Sequence, residues 1–295
     1  MTHPAKRFAI VTVSYAPDFE RCRLLTESTE RCLLGDTKHY IIVDRKDVQL
    51  FSALKSSKVE LLVVEDILPW WIFRVPFFTK GWISLRTPPI RNWILQQLVK
   101  LSVVQALQED VVVFCDSDVT FIRPFDIASL FLHEDQVALL RVDFQSDDVI
   151  SWTNASKQIL GIEKEDVPFF NYVGNLIAWR RENVFKMYDR IEEVNGMSWI
   201  QAICKHWNIS EYMLYGMMVD HVLEPENSGH FISSPELVKP AWSYPLDSQE
   251  NVNQFFSTVD DTHIGVMIHS KYRAPISAYR HKFESLWQKN CELNV

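Results

Sequence analysis

Two aspartates, Asp116 and Asp118, directly follow a run of five apolar residues and have the residue type and spacing for metal-dependent chemistry. The run, residues 111–115, is too short for a typical helix and too apolar for a half-exposed strand, so it predicts a central strand covered on both faces. Ligands of open α/β sheets bind beyond the carboxyl ends of the strands, where both acids fall. Two carboxylates one residue apart can bind a hard divalent cation and, through it, a substrate diphosphate.

The Asp-x-Asp spacing has a structural explanation as well as a functional one. The tripeptide occurs by chance about once in a chain of ordinary composition and this length, and a solvated turn after a strand has the same pattern. The apolar strand before it and the sequence Val-Thr-Phe-Ile-Arg-Pro-Phe after it favour the functional interpretation.

The segments around this motif alternate between strand and helix patterns, which predicts an α/β fold with a mostly parallel central sheet flanked by helices. Besides the central strand, strands are predicted at residues 8–15, 39–44, 59–65, 136–143 and 262–272, and residues 169–179 return to the core. Helices are predicted at residues 19–32, 48–54, 91–107, 180–193 and 274–290, and one begins at Glu211. Residues 147–166 form a partly helical excursion, and an irregular segment follows Pro225.

Composition excludes several classes of function. The 295 residues carry a net charge of -8 with scattered Lys and Arg, which argues against a nucleic-acid partner. The five cysteines have no Cys-x-x-Cys spacing, so we expect reduced thiols in a cytoplasm and no zinc site. The polar N-terminus resembles neither a signal nor a transit peptide, and no window is apolar enough to cross a membrane.

A nucleotide-binding protein with this sequence would have to hold phosphates without a glycine-rich loop. Only eight glycines are present, and neither GxGxxG nor GxxxxGK[ST] occurs. A cation on Asp116 and Asp118, helped by a few basic side chains, is the remaining economical arrangement.

Five further positions could contact a ligand or take part in catalysis. Gly174 and Asn175 lie where a backbone or a small side chain could approach a ligand closely. Glu211 follows Ser210 in a normal helix start, but a carboxylate there could also serve as a general base. In the helix at 91–107, Gln97 and Lys100 lie off the apolar stripe; a solvated face is the better interpretation for Gln97, and both interpretations stay open for Lys100.

Together these segments resemble metal-dependent nucleotide-sugar glycosyltransferases of the GT-A fold over nearly the whole chain, and are similar to poorly described bacterial members. The resemblance implies that Asp116, Asp118 and His269 bind the metal, Mn²⁺ or Mg²⁺, and that Lys271 contacts the diphosphate. It places the base and ribose near Tyr15 and Asp44. The nucleotide-sugar-binding residues that it implies are Tyr15, Asp44, Lys100, Ser117, Gly174, Asn175 and Lys271.

The same resemblance implies an activity and a domain organisation. The expected enzyme is a hexosyltransferase that moves a sugar from a nucleotide-diphosphate donor, with UDP-sugars favoured, to an acceptor hydroxyl. The acceptor is a glycan, a small molecule or a lipid-linked saccharide, and Glu211 is the expected base of an inverting reaction. One GT-A-like domain spans residues 1–295, with a nucleotide-binding half, 1–125, and an acceptor-binding half, 126–295, that ends in the C-terminal helix.

Two competing functions use the same residues. An apolar run followed by Asp-x-Asp-Val-Thr also fits haloacid-dehalogenase-like phosphatases, with Asp116 as nucleophile and Asp118 as acid/base. In those enzymes the motif ends the first strand, whereas three predicted strands precede it here. They also need a later strand that ends in paired acids, and the nearest pair, Asp260 and Asp261, lacks an apolar run. A non-catalytic sugar-binding module is the third interpretation.

Overall fold

The computed structural model describes residues 5–75, 81–164, 167–242, 244–269, 271 and 274–291. Within them the chain is a mixed α/β protein. Its strands there are β1 (Phe8–Val13), β2 (Lys38–Val43), β3 (Val59–Val63), β4 (Ile72–Phe73), β5 (Ile83–Ser84), β6 (Val111–Cys115), β7 (Val119–Phe121), β8 (Leu132–His133), β9 (Gln136–Leu140), β10 (Leu176–Arg180), β11 (His230–Ser233), β12 (Val238–Pro240) and β13 (Gly265–Met267).

The helices within the described part of the chain are between one and four turns long. They are α1 (Phe19–Cys32), α2 (Val48–Phe51), α3 (Val64–Ile67), α4 (Asn92–Ala106), α5 (Ile127–Phe131), α6 (Asp147–Leu160), α7 (Arg181–Asn195), α8 (Trp199–Cys204), α9 (Glu211–Met218), α10 (Pro225–Ser228), α11 (Gln249–Ser257) and α12 (Arg280–Asn290). In these parts of the chain, no helix combines the length and the apolar character that crossing a bilayer requires.

The largest sheet has five strands in the order β10-β6-β1-β2-β3. β1 and β2 pair in parallel, with Ala9 opposite Lys38. The chain runs outward from β1 through β2 to β3 and later places β6 on the other side of β1, so the strand order reverses between β1 and β6. Such a switch point opens a crevice at the carboxyl ends of the two strands. The predicted α/β fold with a mostly parallel central sheet is confirmed.

Internal contacts divide the chain into two compact units, each assembled from separate stretches of sequence. One contains the described residues of 1–7, 63–113 and 131–234, and the other contains those of 8–62, 114–130 and 235–295. This division differs from the predicted halves, which meet at residue 125. The C-terminal residues belong with the N-terminal ones because β13 pairs with both β12 and β7.

In the unit with the N-terminal strands, α1 and α12 are fixed by polar contacts. The indole N–H of Trp287 on α12 donates to the carbonyl of Phe121 at 2.7 Å. The guanidinium of Arg280 pairs with the carboxylate of Glu27 on α1 at 2.7 Å. The core beneath α1 is apolar and fully or nearly fully buried, and it consists of Cys22, Ile41, Val43, Phe51, Leu54 and Val59.

In the other unit, aromatic side chains fill the space between the helices. The rings of Tyr188 and Trp199 stack at 4.5 Å, and those of Trp179 and Tyr215 at 4.9 Å. A Cβ at Gly216 on α9 would lie 2.1 Å from the Tyr172 ring, so only glycine lets that ring pack against the helix.

Several predicted boundaries need correction. Helix 19–32 and strand 111–115 have the predicted ends, but the strand predicted at 262–272 is limited to β13. The segment after Pro225, predicted as irregular, contains β11, β12 and α11. Four residues of the predicted segments lie outside the described residues: Glu165, Asp166, Ser270 and Tyr272.

Two buried histidines should make folding stability depend on pH. Burial lowers the pKa of His39 and of His230 to about 3 each. The unfolded chain binds protons at these positions below about pH 6.5 while the folded chain stays neutral there, so stability is complete above that pH and falls as the pH decreases. We expect each histidine to remove about 1.4 kcal/mol of unfolding free energy per pH unit in this window.

Urea unfolding at several pH values from about 7.5 to 5 measures this slope. The His39→Gln variant keeps a polar partner for Thr12 and Thr29, the two hydroxyls that bond the His39 ring. The variant should lose the contribution of His39 to the slope of unfolding free energy against pH and keep the contribution of His230. A slope that is unchanged by His39→Gln would contradict the assignment.

Candidate functional site

The Asp-x-Asp motif begins where β6 leaves the sheet. All five residues of β6 are buried, and the hydroxyl of Thr12 on β1 donates to the carbonyl of Cys115 at 2.7 Å. Asp116 and Asp118 are half-buried, and Ser117 between them is only 8% exposed. The two carboxylates therefore lie at the carboxyl ends of β1 and β6, at the switch point of the sheet.

The segment that follows β13 runs beside this motif. The backbone N–H of Ile268 donates to the carbonyl of Asp118 at 3.1 Å. His269 is half-buried with its ring centre 4.8 Å from that of Trp242, and Lys271 is exposed. The motif and the predicted His-x-Lys residues are thus neighbours in the same unit.

Negative charge accumulates at the motif. Burial raises the pKa of Asp118 to about 7, and the charge of Asp116 contributes to the same shift. Asp18 raises this pKa further, whereas Arg21 lowers it. A bound cation would offset this repulsion, because an opposite charge stabilises the ionised form of each carboxylate.

Asp18 and Arg21 are site residues that the sequence analysis did not identify. Asp18 is the N-cap residue of α1, and its carboxylate lies 3.4 Å from the Arg21 guanidinium. Burial raises the pKa of Asp18. The signal for Asp18 was present, because the sequence Ala-Pro-Asp follows the first strand just as Asp-Ser-Asp follows the central one.

Tyr15 and Asp44 follow β1 and β2, as predicted. Tyr15 is 44% exposed, and burial and then the neighbouring charge of Asp18 raise its pKa. Asp44 is 9% exposed and lies 3.8 Å from the amine of Lys46. The loops after the two strands are joined by a hydrogen bond from the Ala16 N–H to the Asp47 carboxylate at 3.1 Å.

The ring of His269 is held by its own loop. The backbone N–H of Lys271 donates to Nδ1 at 3.0 Å, so in the neutral ring Nε2 carries the proton. Burial lowers the pKa of His269, and the positive charge of Lys271 lowers it further, which favours that neutral form. In this arrangement the ring has no lone pair for a metal until the bond to Lys271 breaks or the ring turns.

The donor atoms suit a hard divalent cation although they are not already gathered around one. In the described part of the chain, no three His, Cys, Asp or Glu side chains are grouped closely enough to hold a metal ion. The carboxylates of Asp116, Asp118 and Asp18 are the oxygen ligands that Mg²⁺ and Mn²⁺ prefer. The residues therefore fit such an ion chemically, and binding would have to draw their side chains together.

Glu211 and Lys100 belong to the other unit. Glu211 is 2% exposed, and its Oε1 lies 3.0 Å from the amine of Lys100, which donates to the Tyr212 hydroxyl at 2.8 Å. The side-chain carbonyl of Gln97 accepts the Glu211 N–H at 3.0 Å. The solvated face predicted for Gln97 is wrong, because α9 covers it. Ser210 does cap α9 as predicted, accepting from the Met213 N–H.

Gly174 and Asn175 precede β10 in that same unit and are half-buried. A Cβ at Gly174 would lie 2.6 Å from the end of the Leu140 side chain, so that side chain would have to shift to admit a larger residue. Their predicted approach to a ligand, like the general-base role of Glu211, stays a prediction.

The later acidic pair that a phosphatase would need does not end a strand. Asp260 and Asp261 lie in a turn between α11 and β13, and the Asp261 side chain is 99% exposed. Both residues bind Arg123, at the backbone carbonyl of Asp260 and the carboxylate of Asp261. The haloacid-dehalogenase alternative therefore lacks its second pair of acids and is not supported.

Comparison with known proteins gives the family. The chain belongs to the family of unknown function DUF6492, which it matches over residues 9–289. None of the curated proteins matches the chain.

Several solved structures are similar in fold. The apo form of mouse xyloside xylosyltransferase 1 shares 12% identity at a TM-score of 0.48, over 91% of this chain and 100% of that chain. The apo structure of the bifunctional glycosyltransferase WbbM shares 14% identity at 0.48, over 98% of this chain and 46% of WbbM, so the chain spans about half of that protein. An active-site mutant of LgtC shares 11% identity at 0.46, over 95% of both chains.

Proposed function

We propose that this protein is a glycosyltransferase of the GT-A type that moves a sugar from a nucleotide-diphosphate donor to an acceptor hydroxyl. The observation that carries the proposal is the position of Asp116 and Asp118 at the carboxyl end of β6, with Asp18 after β1 near enough for its charge to add to the burial that raises the pKa of Asp118. The carboxylates lie at a switch point of the sheet, where open α/β proteins bind nucleotides. Without a glycine-rich loop, a cation on these acids is the means of holding a diphosphate.

Asp116 and Asp118 would hold Mn²⁺ or Mg²⁺, with Asp18 as an additional oxygen donor and His269 as the predicted nitrogen donor. The ion, when bound, supplies a Lewis acid for the departing diphosphate. Lys271 is exposed beside His269 and adds a positive charge that attracts the phosphates. The negative charge of Asp116 and Asp118 would repel a free diphosphate, so donor and cation would bind together.

The remaining donor contacts follow from the ends of β1 and β2. Tyr15 presents an exposed ring on which a base can stack, and the Asp44 carboxylate can accept the ribose hydroxyls. Uracil is favoured because UDP-sugars are common donors for this fold, which is an analogy. Ser117 lies between the two aspartates, and the ligand contacts predicted for Lys100, Gly174 and Asn175 stay predictions, as does the hexose itself.

Calorimetric titration with UDP, with and without Mn²⁺, tests the metal-linked donor site. We expect affinity to fall at least about tenfold when Mn²⁺ is omitted, and by a similar factor in Asp116→Asn and Asp118→Asn, because the cation joins the acids to the diphosphate. Asp36→Asn makes the same chemical change on an exposed turn and is the matched control.

Equal UDP affinity with and without Mn²⁺ would contradict the metal-linked site. A thermal-shift panel of UDP, GDP, CDP and TDP with Mn²⁺ then identifies the base by the largest stabilisation. If none of the four nucleotides stabilises the protein, the glycosyltransferase proposal itself fails.

The stereochemical prediction is an inverting transfer with Glu211 as the base. Glu211→Gln should then reduce turnover by about a hundredfold or more while UDP affinity is retained, because a base acts on the acceptor in the transition state. Its buried ion pair with Lys100 gives a competing structural role, in which the variant loses stability instead.

Gln97→Leu is the control that separates these roles, because it removes the bond that the Gln97 side chain accepts from the Glu211 N–H at the same helix contact and leaves the carboxylate in place. If both variants lose turnover only in proportion to lost folded protein, measured by thermal unfolding, the base assignment is wrong. NMR of a product with retained anomeric configuration would also overturn it.

A further inference from the structure

Two thiols touch at the far ends of α1 and α12. Cys32 is the last residue of α1, Cys291 directly follows α12, and their sulfur atoms are 3.2 Å apart. Disulfide-bonded sulfurs lie about 2.05 Å apart, so a covalent bond requires an approach of roughly 1 Å. Cys32 is fully buried, whereas Cys291 is half-buried and accessible to a small oxidant.

The backbone around Cys32 is anchored from the other side. The N–H of Phe125 donates to the Cys32 carbonyl at 2.9 Å, and the N–H of Leu34 donates to the Phe125 carbonyl at 2.9 Å. Cys291 closes the last turn of α12, with its N–H bonded to the Trp287 carbonyl at 2.7 Å. Both thiols are therefore presented by defined backbone, which keeps them in contact.

We propose that Cys32 and Cys291 are an oxidative modification site at which an intramolecular disulfide fastens α12 to α1. In the reducing compartment that the sequence predicts, the pair stays as two thiols. Exposure to a small-molecule disulfide such as oxidised glutathione converts the two thiols into the Cys32–Cys291 disulfide.

The Cys32–Cys291 disulfide forms in two thiol–disulfide exchange steps. The Cys291 thiolate, the more accessible of the two, attacks oxidised glutathione, forms a mixed disulfide and releases one glutathione thiol. The Cys32 thiolate then attacks the Cys291 sulfur, forms the Cys32–Cys291 bond and releases the second glutathione thiol. Burial and the contact with Cys291 raise the pKa of Cys32, so the second step should be slow and should accelerate with rising pH.

The bond would act on the helix pair that borders the Asp-x-Asp motif. Near the opposite end of the pair, Arg21 of α1, the residue paired with Asp18, lies close enough to Tyr279, which precedes α12, for its charge to counter the burial that raises the Tyr279 pKa. Between the two ends, Arg280 pairs with Glu27. A covalent link at Cys32 and Cys291 thus completes a series of ties along the whole length of α1.

The link should raise the thermal stability of the chain. It joins positions 259 residues apart, so it restricts the unfolded chain strongly, and the folded geometry needs little adjustment. We expect the melting temperature of the oxidised protein to exceed that of the reduced protein by roughly 5–10 °C.

The test oxidises the folded full-length protein with oxidised glutathione, blocks the remaining thiols and digests it with trypsin without reduction. We expect mass spectrometry to find residues 32–38 linked to residues 290–295. Thiol titration of the oxidised protein in denaturant should then detect three free thiols, because two of the five cysteines are in the disulfide. Cys204→Ser, which removes a half-buried thiol elsewhere, should behave like the parent protein.

Cys32→Ser and Cys291→Ser should each abolish the linked peptide and the rise in melting temperature caused by oxidation. Five titratable thiols after prolonged oxidation, or a linkage between other cysteines or between two chains, would overturn the proposal. Formation of the bond without a rise in melting temperature would overturn its stabilising role. The outcome is independent of whether the protein transfers sugars.

Discussion

The placement of two carboxylates at the end of a fully buried strand is the constraint on which the candidate site depends. β6 has no exposed residue, so Asp116 and Asp118 start from a rigid position beside β1. Burying charge is unfavourable unless it is paired, and here burial raises the pKa of Asp118 to about 7. Arg21 offsets part of the charge but is already paired with Asp18. The site retains an excess of negative charge that a divalent cation can neutralise.

The elements around the motif explain why the C-terminal part of the chain is needed for a site that starts in the N-terminal part. β13 pairs with β7, directly after the motif, and this pairing brings His269 beside Asp118. α12 then packs on α1, where Arg280 pairs with Glu27. The predicted nucleotide-binding half, residues 1–125, contains Asp116 and Asp118, whereas His269 and α12 come from residues 126–295.

The sequence predicted those parts of the fold that are set by local pattern. The strand 111–115 and the helix 19–32 have the predicted ends, because an unbroken apolar run and a long amphipathic pattern are strong local signals. β11 and β12 were missed, since they have only four and three residues and exist through pairing with distant strands. The ion pair of Lys100 with Glu211 could not be predicted, because helical spacing does not reveal which helix will cover a polar face. Asp18 has a sequence signal, since it follows the first strand as the motif follows the central one, but only the folded sheet shows that its charge acts on Asp118.

The central claim is that Asp116 and Asp118 bind a divalent cation that also contacts a nucleoside diphosphate. Anomalous diffraction from crystals grown with UDP and Mn²⁺, measured at the manganese edge, tests it most directly. We expect one strong anomalous peak bonded to both aspartates and to the diphosphate, with the base near Tyr15. UDP bound without manganese at these aspartates, or manganese bound at a site that excludes both, would contradict this claim.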